Sequence, residues 1–325
     1  MPKARGRPRR SASRVGSSPD LQPGRRSRWL PAAALIVFAV VFTSLAVNSY
    51  TRKSATWDEP IHLTSGYAAL TYGDYRLDPS HPPFLRMWAA LPLLFIDRPA
   101  LDVSAIDNTS PSGWLEEAYG FAHRFMYVEN DADRLLYAAR FMVVLLGVLL
   151  GALVFCWMYE WLGLAPALAA LVLYTLEPNL AAHSTLVTTD LAVTSFLFGA
   201  VYFLWRTCEQ PTRWNIAGLS VFASLAIVTK FSAVVLVPII LVLLATAAMR
   251  RRHLTPRLAS TIAGIVIVSI FVAIWTAYGF RYDASASGRW SWLTSRCGPS
   301  AYSRPRTCWT AWPRRRPAWT SLSRS

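Results

Sequence analysis

Long apolar runs separated by polar breaks divide the chain. Residues 29–48 form a first run of 20 mostly apolar residues, about 30 Å as a helix and enough to cross a bilayer core. It is too long for a signal-peptide core and lacks a small-residue cleavage site, so it is read as a retained span. Runs at 135–157, 162–180 and 191–205 predict spans two to four. Residues 216–249 are apolar for 34 positions with Lys230 as the one charge. A single straight helix of that length is about 51 Å, well beyond the ~30 Å core. Two short helices meeting at residues 229–231 fit better. The run at 258–279 is then the seventh span. The pattern predicts an all-α polytopic membrane protein of about seven transmembrane helices with a large first outer loop.

Loop charge agrees with that count. Two helices in 216–249 place Arg250, Arg251, Arg252 and His253 on the same side as the basic N-terminal tail, as the positive-inside rule prefers. Asp58, Glu59, His81, Arg86, Asp190 and Lys230 then share the opposite, extracytoplasmic face. The long loop, 49–134, carries twelve Asp/Glu against seven Lys/Arg. Loops of this length usually have structure of their own. A helix is predicted over 59–72, stopped by Gly73, and an apolar aromatic helix over 84–95, too short to span and suited to the membrane surface. Asn108-Thr109-Ser110 matches a glycosylation acceptor, a common pattern.

Composition supports the membrane reading: 54% of the 325 residues are hydrophobic and 16% charged. The net charge of +15 lies almost wholly in two tails. Residues 1–28, rich in Arg, Pro and Ser, read as a disordered basic cytoplasmic tail. Residues 284–325 are rich in Arg and Trp, contain no acid and follow no helix or strand period. They are expected to be an aberrant, frameshifted terminus; a genuine basic tail is the other reading. Charge confined to tails gives no nucleic-acid-binding face. Cys156, Cys208, Cys297 and Cys308 form no CxxC pair and no arguable disulfide framework.

Four places in the chain can carry chemistry. Thr56-x-x-Glu59, with Asp58 and Pro60, fits a capping box at a helix start. The same carboxylates at a bilayer edge can also take a proton from an attacking hydroxyl, with Asp58 as base and Glu59 orienting it or sharing a cation. His81-Pro82-Pro83 followed by Arg86 puts a cation on the first turn of a helix, a seat for phosphate; an arginine reaching along an interfacial helix is the plainer reading. Asp190 either caps span four or marks a site at its end. Lys230 either anchors its helices at the interface or faces a lipid phosphate. His183 and Glu177 are weaker candidates of the same kind.

Together these motifs resemble the GT-C type membrane glycosyltransferases, in particular glycosyltransferase family 39, with its protein O-mannosyltransferases and aminoarabinose transferases. The resemblance rests on Trp57-Asp58-Glu59-Pro60-Ile61-His62, residues 72–79, His81-Pro82-Pro83-Phe84-Leu85-Arg86, Glu177-Pro178-Asn179 with Ala182-His183, Thr188-Thr189-Asp190 and Thr229-Lys230. It spans about residues 30–283. It implies an inverting enzyme that moves mannose or a similar sugar from a polyprenyl-phosphate donor, at the outer face of the plasma membrane, to a hydroxyl on a protein or envelope glycolipid. It further implies Asp58 as general base with Glu59 in support, and Asp190 orienting the acceptor, a metal or a phosphate-binding group. His81, Arg86 and Lys230 become contacts to the lipid phosphate. A divalent cation, Mg or Mn, at Asp58 and Asp190 stays open. Family members continue past span seven, where this chain changes character after Asp283. The rival readings are an inactive truncated fragment and a non-catalytic membrane protein such as a transporter. A transporter would place its ionisable groups near mid-membrane.

Overall fold

The computed structural model describes residues 29–96, 99–103, 114–250 and 254–281. The two tails, the glycosylation pattern at 108–110 and the cluster at 251–253 lie outside the described residues. All regular elements among the described residues are helical. The chain runs α1 (Trp29–Tyr50), α2 (Glu59–Tyr72), α3 (Phe84–Ala90), α4 (Trp114–Tyr127), α5 (Ala132–Leu162), α6 (Leu164–Leu176), α7 (Pro178–His183), α8 (Thr189–Glu209), α9 (Arg213–Thr229), α10 (Leu236–Met249) and α11 (Pro256–Ala277).

Among the described residues, five segments are long and apolar enough to cross a membrane: α1, α5, α8, Phe231–Met249 and α11. The polytopic all-α architecture expected from the sequence is present. The other two runs expected to span form the shorter apolar helices α6 and α9, of 13 and 17 residues. The run at 162–180 breaks at Glu177, whose carboxylate accepts from the Leu180 N–H and, with Pro178, starts the separate helix α7. The expected break in 216–249 is found at Lys230. That residue is extended, with φ −148° and ψ 131°, between α9 and a 3-10 turn at Phe231–Val235.

The loop helices follow their local chemistry. Pro60 lies in the first turn of α2, and Gly73 closes it in the left-handed conformation, φ 64°. Helix α3 is shorter than the expected 84–95 segment because Pro92 turns its end into a 3-10 turn, Leu91–Leu94. Helix α4 was not anticipated at all; it is amphipathic and carries Glu116 and Glu117 in its first turn. Gly66 lets α2 and α3 touch: a Cβ there would stand 2.0 Å from the Arg86 carbonyl oxygen. Side chains from α1, α2, α3, α4, α5 and α8 form one continuous apolar core, including Phe42, Leu63, Leu85, Phe125, Val143 and Phe196. The loop is therefore packed onto the bundle.

Candidate active site

A buried ion pair organises the site. Arg140 of α5 and Glu59 of α2 are both fully buried. The guanidinium donates to Glu59 Oε1 at 2.8 Å and Oε2 at 2.6 Å. Its remaining donors reach the carbonyls of Tyr50 at 3.0 Å, Lys53 at 2.9 Å and Ser54 at 2.8 Å. The carboxylate also accepts from the backbone N–H groups of Thr56 at 2.8 Å and Val187 at 3.0 Å. Burial alone would raise the Glu59 carboxyl, but the Arg140 and backbone hydrogen bonds outweigh it and hold it below its ordinary value. One side chain thus fixes the link after α1, the start of α2 and the approach to α8.

Half of the expected capping box is present. Glu59 reaches back to the Thr56 N–H, but the Thr56 hydroxyl donates to Glu59 Oε2 instead of capping a backbone N–H. Asp58 stands at the N-cap position without a side-chain capping bond. It is exposed, and its Oδ1 accepts from the Tyr119 hydroxyl of α4 at 3.0 Å. Burial, followed by the neighbouring Asp58 carboxylate, pushes the Tyr119 phenol up to about 12, so it stays a donor. Trp57, 77% exposed, lies against Tyr119 with ring centroids 5.0 Å apart.

A second buried cluster sits behind His81. Asp78 Oδ2 meets His62 Nδ1 and Arg86, each at 3.0 Å, and Asp78 Oδ1 accepts from Ser80. Burial would raise Asp78, yet His62, Arg86 and Ser80 hold it well below the usual carboxylate range. Arg86 is 3% exposed and donates to the Asp78 carbonyl at 2.5 Å and the His81 carbonyl at 2.6 Å. The sequence placed Arg86 toward a lipid phosphate; the structure turns it inward, because Gly66 brings α3 close against α2 and Asp78 takes its charge. His81 is half-buried, its ring 6.0 Å from that of His62. Burial, then the His62 charge, lower its pKa; Asp78 opposes this, and Lys230 and Arg86 add to it.

Asp190 and Lys230 meet at the same end of the bundle. Lys230 Nζ donates to Asp190 Oδ1 at 2.7 Å, joining the break between α9 and α10 to the first turn of α8. The pair is partly open to solvent, 29% and 51% exposed respectively. Asp190 makes no cap, since Thr188 holds the N-cap position. Val187, three residues before Asp190, carries the N–H that binds Glu59, so the two acidic sites share one anchor. Glu177 is spent on capping α7 and on Asn179, and His183 ends that helix.

The structure therefore leaves Asp58 and Asp190 exposed and His81 and Lys230 partly exposed, and buries Glu59 and Arg86. Arg140 and Tyr119 escaped the sequence reading, as did the pairing of His62 with Asp78. Arg140 had a signal, being the one charge in the run 135–157. Tyr119 had none. Among the described residues no three His, Cys, Asp or Glu side chains converge as a metal cluster. Asp190 Oδ1 is held by Lys230 and Asp58 Oδ1 by Tyr119.

The helices define a multi-pass membrane protein with Lys230 and Asp190 paired at one end of the bundle. Residues 131–275, from α5 to near the end of α11, match the family described as dolichyl-phosphate-mannose-protein mannosyltransferase. The match bears out the GT-C family recognised from the motifs, without separating its subfamilies, and supports a glycosyltransferase that uses a lipid-linked sugar. It covers Arg140, Asp190 and Lys230 but not the segment bearing Asp58 and His81. No curated protein sequence and no solved structure matches the chain.

Proposed function

We propose that the chain is an inverting glycosyltransferase that moves mannose or a similar sugar from a polyprenyl-phosphate donor to a hydroxyl of a protein or envelope glycolipid. The observation that carries this reading is the accessible Asp58 carboxylate, set on the buried Glu59–Arg140 pair at the end of the bundle that holds Lys230. Tyr119 occupies Asp58 Oδ1 and leaves Oδ2 for the acceptor hydroxyl. As the acceptor oxygen attacks the sugar C1, its proton passes to Asp58. The C1–O bond to phosphate breaks from the opposite face, and the phosphate departs with the bonding pair. That leaving group needs positive charge more than it needs an acid. Lys230 supplies it, with His81 beside it and Asp190 orienting Lys230 or the acceptor. Glu59 and Arg86 act as positioning residues.

The direct test is transfer from a panel of polyprenyl-phosphate sugars in purified membranes, with and without chelator. Asp58→Asn is expected to lower transfer by about 10²- to 10⁴-fold, the usual worth of a general base, with the chelator without effect. Undiminished turnover in that variant removes the base assignment. The orientation we propose has the N-terminus in the cytoplasm and the site outside the plasma membrane. Cysteines introduced near residues 100 and 253 should then label from opposite sides, and labelling from one side sinks that topology.

A further inference from the structure

A groove of about 530 Å³ lies between α8 and α10, at the end of both helices away from Lys230. Leu204, Trp205, Leu243 and Ala247 give it apolar walls. Glu209, the last residue of α8, and Arg250, which follows α10, also line it. Asp190 and Glu209 stand at opposite ends of α8, about 29 Å apart at the helical rise of ~1.5 Å per residue. That separation matches the ~30 Å hydrocarbon core. The groove therefore opens at the bilayer surface opposite Lys230.

Depth and charge together point to an occupant. Trp205 stacks on Trp157 with ring centroids 5.8 Å apart, and Trp161, 65% exposed, meets Trp205 edge-on at 6.2 Å. Tryptophans gather where a membrane meets water, at the level of the lipid headgroups. One turn before Glu209, Arg206 pairs with Glu160 of α5 at 2.6 Å. Glu209 and Arg250 behave otherwise. They line the same groove with opposite charge, yet neither forms an ion pair with the other or with any other described residue. An anion and a cation that line one apolar hollow without pairing match a zwitterion carried on an apolar body.

We infer that the groove holds a phosphatidylethanolamine from the bilayer leaflet opposite Lys230. Its phosphate oxygens accept from the Arg250 guanidinium, and its ammonium donates to the Glu209 carboxylate. The start of an acyl chain lies on Leu204, Leu243 and Ala247. The volume falls within the ~300–1,000 Å³ range of ligand pockets. An anionic phospholipid would satisfy Arg250 but set a net negative charge against Glu209. A choline headgroup has no N–H to donate to Glu209. Its quaternary ammonium calls for a cage of aromatic faces, and Trp205 is the one aromatic side chain among the described residues that line the groove. The site stands apart from the residues proposed for sugar transfer.

The test is native mass spectrometry of the full chain with phosphatidylethanolamine, phosphatidylglycerol and phosphatidylcholine of identical acyl chains. Wild-type protein should retain phosphatidylethanolamine about two- to fivefold more strongly than either of the others, the range of an exposed ion pair. Glu209→Ala should erase the preference over phosphatidylglycerol. Arg250→Ala should weaken retention of all three lipids, which share the phosphate. Both side chains are exposed, so both variants are expected to fold. Equal retention of phosphatidylethanolamine and phosphatidylglycerol by the wild type overturns the inference, and that comparison needs no variant. A preference over phosphatidylglycerol that survives in Glu209→Ala also overturns it. Stronger retention of phosphatidylcholine does the same, since Trp205 and not Glu209 would then be the recognising group. Displacement of the lipid by soluble glycerophosphoethanolamine at equal concentration would show that the apolar walls hold no chain, and would sink the lipid assignment.

Discussion

Replacing Arg140 by methionine removes a guanidinium that makes five hydrogen bonds, two to Glu59 and three to backbone carbonyls. Glu59 then stays buried with only the Thr56 and Val187 groups as partners. Leaving one member of a buried pair uncompensated costs about 3–5 kcal/mol. Hydrogen bonds to charged groups contribute roughly 1.5–3 kcal/mol each, so the two that Glu59 loses account for that range. Glu59→Gln should also be costly, because Arg140 stays a buried charge without its counter-ion and the amide NH2 meets donors where one carboxylate oxygen accepted. The Glu59→Leu/Arg140→Met pair should recover part of the single-variant loss and not all of it, since the Tyr50, Lys53 and Ser54 carbonyls are orphaned. Denaturant unfolding in mixed micelles gives the energies, and hydrogen exchange across residues 54–62 reports whether the segment bearing Asp58 loosens. An Arg140→Met loss below about 1 kcal/mol, outside the range for an uncompensated buried charge, refutes the reasoning.

The partly exposed Lys230–Asp190 pair should contribute little to stability, about 0–1 kcal/mol. Lys230→Met is therefore expected to unfold like wild type while losing sugar transfer severely; parallel losses of both would make Lys230 structural. Acidification should weaken the fold in two stages. His81 is lowered from its ordinary 6.5, so the unfolded chain binds a proton first and stability falls as pH drops below that value. Glu59 and Asp78 are lowered from 4.5 and 3.8, so their contribution is present above those values and lost as pH falls through the lower folded ones. His81→Gln should flatten the first stage, which begins below pH 6.5. Wild-type stability unchanged from pH 7 to pH 5 would contradict the His81 part.

The apolar runs and their punctuation made most of the helices legible. Gly73 marked the end of α2, and the excessive length of 216–249 located the break at Lys230. What failed was local competition within runs. Glu177-Pro178 divides an apolar stretch that averages as one span, and Pro92 cuts α3 short. The exposed candidates could be found from residue type and order. Burial could not, because it depends on what arrives from elsewhere. Arg86 reads as a surface cation until Gly66 and Asp78 are seen beside it. Glu59 reads as half of a cap until Arg140, 81 residues away, takes both its oxygens.

That separation bears on how the protein is made. Glu59 leaves the ribosome long before Arg140, and the Val187 N–H that completes its coordination follows 128 residues after it. Contacts this distant in sequence close late, because the intervening chain must first be ordered. The segment bearing Asp58 is among the first parts synthesised and among the last to set. A nascent chain halted before residue 187 carries a carboxylate with an incomplete set of partners, a state distinct from the finished protein. Completion of the site is thereby tied to arrival of the segment that leads into α8.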